Sequence, residues 1–302
     1  MASTRDLKKR ITSTKNTQQT TRAMKLVSAA KLRRAQEAIL SQRPYAKNVA
    51  RLMKVLSKSV ADGSQVPLLR SAPLVEGSKK VLLVSLSSDR GLCGGFNTNI
   101  VKTTQRWIQS NSANYAEVRL MTVGKKVSEV LRGKKGINLV KSEEVGGKVA
   151  VARAKKLADY VVEQFTSGEV DEVKFVYNEF KNAISQIIVV EDLLPLAQSG
   201  VSSATATKEE VGSAEEYLLR PSAEVLMESL LEKHFVVQVF RILLESQASE
   251  HGARMSAMEN ATKNAGEMIK KLTLQYNKQR QAGITKELLE IIAGSESQSA
   301  EA

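Results

Sequence analysis

The sequence predicts a mixed α/β chain, with long terminal helices that pair as an antiparallel coiled coil and a central α/β domain on a mainly parallel sheet. Three observations predict it. Residues 3–60 contain no Gly and one Pro, and residues 221–293 contain three Gly and one Pro. Both stretches carry apolar or small residues at alternating steps of three and four. Between them, apolar strand-like runs alternate with helical patterns.

The first helix reads as residues 1–60. Its seam visits Leu7, Ile11, Thr14, Gln18, Thr21, Lys25, Ser28, Leu32, Ala35, Ile39, Gln42, Ala46, Val49, Met53, Leu56 and Val60. From Leu32 onward the seam is mostly apolar or small, as a coiled coil requires. The upper half is polar, and is expected to face something other than a partner helix. Pro44 lacks an amide hydrogen, so a kink or local break is expected there. At 1.5 Å per residue the two helical stretches would be rods of roughly 90 and 110 Å. No single core buries such rods, so they must pack on each other, on a partner, or both.

Residues 61–79, rich in Pro, Gly and Ser, read as a linker. Residues 80–195 read as the α/β domain. Val81–Leu86 is a continuous apolar run, the mark of a strand buried on both faces. Helix is expected over 96–111, a strand at Val118–Val123, a short helix at 125–132 and a weak strand at 137–141. Residues 148–166 are helical, with Ala154, Leu157, Ala158, Val161 and Phe165 on one stripe. Val173–Tyr177 and Ile184–Val190 are further strands. Residues 196–220 form a second linker, and Pro221 suits the first turn of the last helix. That helix reads as 221–294, before a tail at 295–302. Its seam runs Leu244, Ala248, His251, Met255, Met258, Thr262, Ala265, Ile269, Leu272 and Tyr276. Ile284, Leu288, Ile291 and Ile292 form a narrow apolar stripe that nothing else in the chain is expected to cover.

Charge is unevenly distributed. Residues 1–60 hold 15 Lys and Arg against 2 Asp and Glu, so they carry the whole net charge of +13. A basic rod suits an acidic partner: nucleic acid, anionic lipid or an acidic protein surface. Residues 1–44 contain no aromatic side chain to stack on bases, so a protein-facing rod is favoured. No apolar run is long enough to span a membrane. The basic start resembles a transit peptide, but its helical pattern continues to residue 60, so it reads as part of the folded chain. One Cys excludes an internal disulfide and points to a reducing compartment.

Asp89–Asn97 follows the first strand and leads into a helix, where an α/β fold places a phosphate loop. It has neither GxxxxGK[ST] nor GxGxxG, so no nucleotide or other cofactor is expected. Cys93 could serve as a nucleophile, but His234 and His251 both lie on the last helix, so it reads as a structural thiol. One Cys and two His give no usual metal spacing. His251 reads as a packed or partner-facing histidine.

Four stretches carry a family resemblance. They are Thr20-Thr21-Arg22-Ala23-Met24-Lys25-Leu26-Val27-Ser28-Ala29-Ala30-Lys31; Arg43-Pro44-Tyr45; Ser88-Asp89-Arg90-Gly91-Leu92-Cys93-Gly94-Gly95; and Tyr276-Asn277 with Arg280-Gln281 leading into Ile284–Gly294. With them the chain resembles, over nearly its full length, the gamma subunit of F-type ATP synthases. Ser295 departs mildly from the family's usual Ala. Cys93 stands alone, so a chloroplast-type regulatory dithiol is absent.

The resemblance implies a Rossmann-like central domain and an antiparallel, left-handed coiled coil turning inside a ring of alpha and beta subunits. It implies contact with the epsilon subunit and the membrane c-ring, a place on the cytoplasmic face of the bacterial inner membrane, and torque transmission without catalytic residues. It assigns partner contacts to Arg280 and Gln281, to Arg90, and to Met24 and Lys25. The alternative is a helical adaptor that binds nucleic acid or anionic lipid through its basic rod. A small α/β enzyme with helical arms fits less well, for want of site residues.

Overall fold

The computed structural model describes residues 4–59, 68, 79–147, 149–182, 185–195 and 223–300. The elements, in order, are α1 (Thr4–Ser59), β1 (Lys80–Leu86), α2 (Phe96–Asn111), β2 (Glu117–Val123), α3 (Lys125–Leu131), β3 (Asn138–Glu143), α4 (Val151–Thr166), β4 (Glu172–Phe180), β5 (Gln186–Leu194) and α5 (Ala223–Ala300). Almost all of both expected linkers lies outside the described residues. The chain divides into two compact units, Ala29–Arg254 and the stretch up to Ser28 together with that from Met255.

In the larger unit the strands lie in the order β3-β2-β1-β4-β5. β1 pairs parallel with β2 and with β4, and β2 pairs parallel with β3. β5 returns antiparallel along β4. Side chains alternate between the two faces, as the pleat requires. Leu83, Leu120 and Val176 meet Ile100, Val101 and Ile108 of α2 and Val127 and Leu131 of α3. Leu82, Val84, Met121, Phe175 and Tyr177 face the other way. They pack into one core with Leu157, Val161 and Phe165 of α4, Leu231, Phe235, Val239 and Ile242 of α5, and Val49 of α1. Cover on both faces explains the mainly apolar run of β1, in which the buried Ser85 hydroxyl is paired with that of Thr104 at 2.8 Å.

One strand expectation and one helix expectation need correction. The last strand is Gln186–Leu194, four residues longer at its C-terminal end than the expected Ile184–Val190, and Ile184 lies outside the described residues. β5 is an edge strand with polar Glu191 and Asp192 in its second half, so its apolar run ended before its ladder did. α1 also runs through Pro44 as one uninterrupted helix, with Pro44 exposed, so the helix is not broken there. Proline removes a single ladder bond. The seam is held on both sides of it, with Gln42 Nε2 donating to the Val237 carbonyl of α5 at 2.9 Å and Val49 buried in the core.

In the smaller unit α1 and α5 pair antiparallel. Gln18 Nε2 donates to the Thr262 carbonyl at 3.4 Å, and the Thr21 and Thr262 hydroxyls lie 2.8 Å apart. Lys25 Nζ binds Glu259 Oε1 at 2.7 Å. The polar upper seam was expected to face something else. Instead it faces the chain's own last helix, because its amide, hydroxyls and ammonium find matching groups there. Across the described side chains, every seam position from Leu7 to Val49 is buried or half-buried. The same holds for the α5 seam from Leu244 to Tyr276. Gly266 allows close approach, since a Cβ there would stand 3.0 Å from Gln18 Nε2.

Candidate partner-contact surfaces

The turn after β1 is built from its own side chains. The Asp89 carboxylate accepts from three backbone amides: Lys125 at the start of α3 and Val145 at 3.1 Å, and Gly146 at 2.8 Å. Ser88 Oγ donates to the Arg90 carbonyl at 2.6 Å, and Asn97 Oδ1 accepts from the Ser88 amide at 3.0 Å. Asn97 Nδ2 lies 3.2 Å from Cys93 Sγ. Cys93 is buried with Phe96 and Ala253. These side-chain bonds hold the turn together.

From α5, Arg254 reaches the same turn. Its guanidinium donates to the Gly91 carbonyl at 3.2 Å and to that of Arg90 at 3.4 Å, while Glu250 pairs with it at 2.7 Å. The backbone is thereby fixed, and Arg90 and Leu92 project into solvent. Leu92 sits in the left-handed region at φ 63° and is 63% exposed. A leucine in that conformation, held outward, is uncommon. Sequence reading singled out Arg90 but missed Asp89 and Arg254 as its supports. An Arg flanked by seam residues (His251 and Met255) was the available signal.

Burial pushes the carboxyl of Glu250 above its ordinary range, and the adjacent Arg254 opposes this. Burial, with Arg254 and Lys31 nearby, pushes the His251 imidazole down to about 4. His251 is therefore neutral near pH 7, a packed residue. Among the described residues no group of three His, Cys, Asp or Glu could hold a metal ion, and no helix is long and apolar enough to cross a membrane.

In the smaller unit Arg280 and Gln281 are adjacent and exposed on α5. Beyond them Ile284, Leu288, Leu289, Ile291 and Ile292 are each at least half exposed. That matches the uncovered stripe expected from the sequence. Met24 and Lys25 are half-buried on α1, and Lys25 is committed to Glu259 of α5.

The fold defines a class: a coiled-coil α/β protein whose first and last helices pair and whose intervening chain forms a parallel-type sheet. The family model described as ATP synthase matches residues 3–297. The chain is 50% identical over 297 residues to the ATP synthase gamma chain of Geobacter metallireducens, covering 98% of this chain and 99% of that one. It is 45% identical to that of Bdellovibrio bacteriovorus, again over 98% and 99% of the two chains. Among solved structures, a chain of the Tetrahymena thermophila mitochondrial ATP synthase central stalk and c-ring matches at 29% identity and TM-score 0.59, covering 80% of this chain and 98% of that one. A chain of the Euglena gracilis mitochondrial ATP synthase matches at 22% identity and TM-score 0.64, over 98% and 95%, a likeness of fold. The chain belongs to the ATP synthase gamma chain family.

Proposed function

We propose that this chain is the central-stalk rotor of a rotary ATP synthase, carrying torque between a membrane c-ring and a catalytic ring of alpha and beta subunits during proton-driven ATP synthesis. In this reading residues 1–60 and 221–294 form the rod and residues 80–195 the foot, which meets the c-ring together with an epsilon subunit. The chain is non-catalytic, needs no cofactor, and is peripheral to the membrane on its cytoplasmic face. The observation that carries the reading is the end of α5. There, five large aliphatic side chains are exposed just beyond Arg280 and Gln281, on a helix whose internal seam is already filled.

A rod satisfied along its seam and apolar at its tip suits a surrounding sleeve of protein. Arg280 offers a planar five-donor fork suited to a beta-subunit carboxylate, and Gln281 adds donors and an acceptor beside it. Arg90 and Leu92, and Met24 with the aliphatic stem of Lys25, supply further contacts. A contact made at one rotor angle and broken at others makes angle a ligand that shifts each site's nucleotide affinity. The test is affinity purification of the tagged full-length chain from its native membranes, followed by ATP hydrolysis and proton pumping. Recovery of alpha, beta and epsilon subunits with coupled activity is expected. Recovery of nucleic acid in their place would sink the reading.

A further inference from the structure

Within the larger unit a polar cluster sits between α5 and the β4–β5 edge of the sheet. Arg241 of α5 is its centre. Its Nη2 binds Glu191 Oε1 of β5 at 2.6 Å, and its Nη1 donates to the Tyr177 hydroxyl of β4 at 3.2 Å. The Tyr177 hydroxyl donates in turn to Glu191 Oε2 at 2.6 Å. On the helix side, Arg241 Nε donates to Gln238 Oε1 at 2.9 Å, and Nη1 pairs with Glu245 Oε1 at 3.2 Å. Glu191 faces the Phe175 position of β4, and Tyr177 stands two residues along, so both point from one face of the sheet. Tyr177 is fully buried, and the Arg241 and Glu191 side chains are mostly so.

The surrounding contact is apolar: Phe235, Val239 and Ile242 of α5 share a core with Phe175 and Tyr177. Apolar contact is non-directional, so it resists a small twist of the helix less sharply than a directional hydrogen bond does. The guanidinium fork is directional. A shift of α5 by one residue turns Arg241 through about 100° and separates it from Glu191 and Tyr177. That would leave the Glu191 carboxylate with only the Tyr177 hydroxyl, while Arg241 kept Gln238 and Glu245 of its own helix. Polar groups of this kind serve best as register pins rather than as sources of stability.

We propose that the Arg241–Glu191–Tyr177 cluster is the pin that fixes the angular setting of α5 on the sheet, so that torque applied to the sheet reaches the helix instead of dissipating as twist at their contact. This rests on the rotor reading above. The pin lies on β5, an edge strand that among the described residues pairs with β4 alone. Ser249 Oγ, donating to the Asn178 carbonyl at 3.0 Å, adds a neutral second tie two turns further along α5.

The experiment uses the assembled complex with three variants of the full chain, Glu191→Gln, Arg241→Met and Arg241→Lys. ATP hydrolysis, protons pumped per ATP, and the angular spread of a single-molecule probe fixed to the sheet are measured. In Glu191→Gln, which keeps shape and one hydrogen bond, hydrolysis is expected within twofold of the unaltered complex while the angular spread widens at least 1.5-fold. In Arg241→Met the spread widens further and pumping per ATP falls at least twofold. Arg241→Lys, which keeps charge but not the fork, falls between. A spread in Glu191→Gln equal to that of the unaltered complex overturns the proposal, whether or not Arg241→Met assembles. An unaltered complex that hydrolyses ATP without rotating the probe would instead overturn the rotor reading.

Discussion

The hydroxyls of Thr21 and Thr262 meet 2.8 Å apart across the paired helices, 241 residues apart in the chain. Thr262 Oγ1 also donates to the Met258 carbonyl at 2.7 Å, which leaves Thr21 to donate across the seam or to Gln18. The polar upper seam is therefore a hydrogen-bonded register mark within one chain.

Cysteines at these two positions, Thr21→Cys with Thr262→Cys, should oxidise to a disulfide in high yield in the full chain. Cys93 is buried and should not compete. The crosslink joins two parts of one rotor, so ATP turnover of the complex should stay within about twofold, a change in barrier of under ~0.5 kcal/mol. Non-reducing gel mobility and steady-state ATPase check this, and failure to crosslink would refute the register.

Arg280→Ala with Gln281→Ala should leave assembly intact, since both are exposed and lie outside the filled seam. Contacts of this kind are worth about 1–3 kcal/mol, enough to change turnover roughly fivefold or more. Steady-state ATPase and proton pumping of the complex measure it. Unchanged values for both would remove the pair from the coupling mechanism.

His251 makes a pH prediction. Its folded value of about 4 lies below the ordinary 6.5, so the neutral ring stabilises the fold above pH 6.5 and that contribution is lost as pH falls towards 4. Between pH 7 and pH 5 the loss from this residue is about 2 kcal/mol. His251→Gln should shrink the difference in unfolding free energy between those two pH values by about that amount. Urea unfolding at each pH provides the comparison, and an identical pH dependence in both proteins would contradict it.

Asp89→Ala removes the acceptor shared by the amides of Lys125, Val145 and Gly146. Two of the three bonds are exposed, so water replaces part of what is lost. A loss of about 2 kcal/mol is expected. The turn that presents Arg90 and Leu92 should loosen with it, read as faster hydrogen exchange at residues 89–97. Unchanged exchange there would show that the turn stands without the carboxylate.

The net charge of +13 within residues 1–60 should give the isolated chain weak, sequence-blind DNA binding that disappears as salt rises. Fluorescence anisotropy across a salt series measures it. Nanomolar, sequence-selective binding at physiological salt would favour the adaptor alternative.

Helical periodicity is a local property, and the sequence by itself determined what depends on it. The three-four walk from Leu7 picked out residues buried or half-buried at every described seam position through Val49, and the walk from Leu244 did the same through Tyr276. The apolar run of β1 announced a strand covered on both faces, and the stripe from Ile284 to Ile292 announced a surface left uncovered. Tertiary structure decided what depends on groups far apart in the chain. Thr21 finds Thr262, Arg241 finds Glu191 and Tyr177, and Asp89 finds three amides of other segments. A polar side chain in a sequence window shows only that it needs a partner. Whether that partner is water, another protein or its own chain is settled when distant segments are brought together, and here the polar upper seam was satisfied from within.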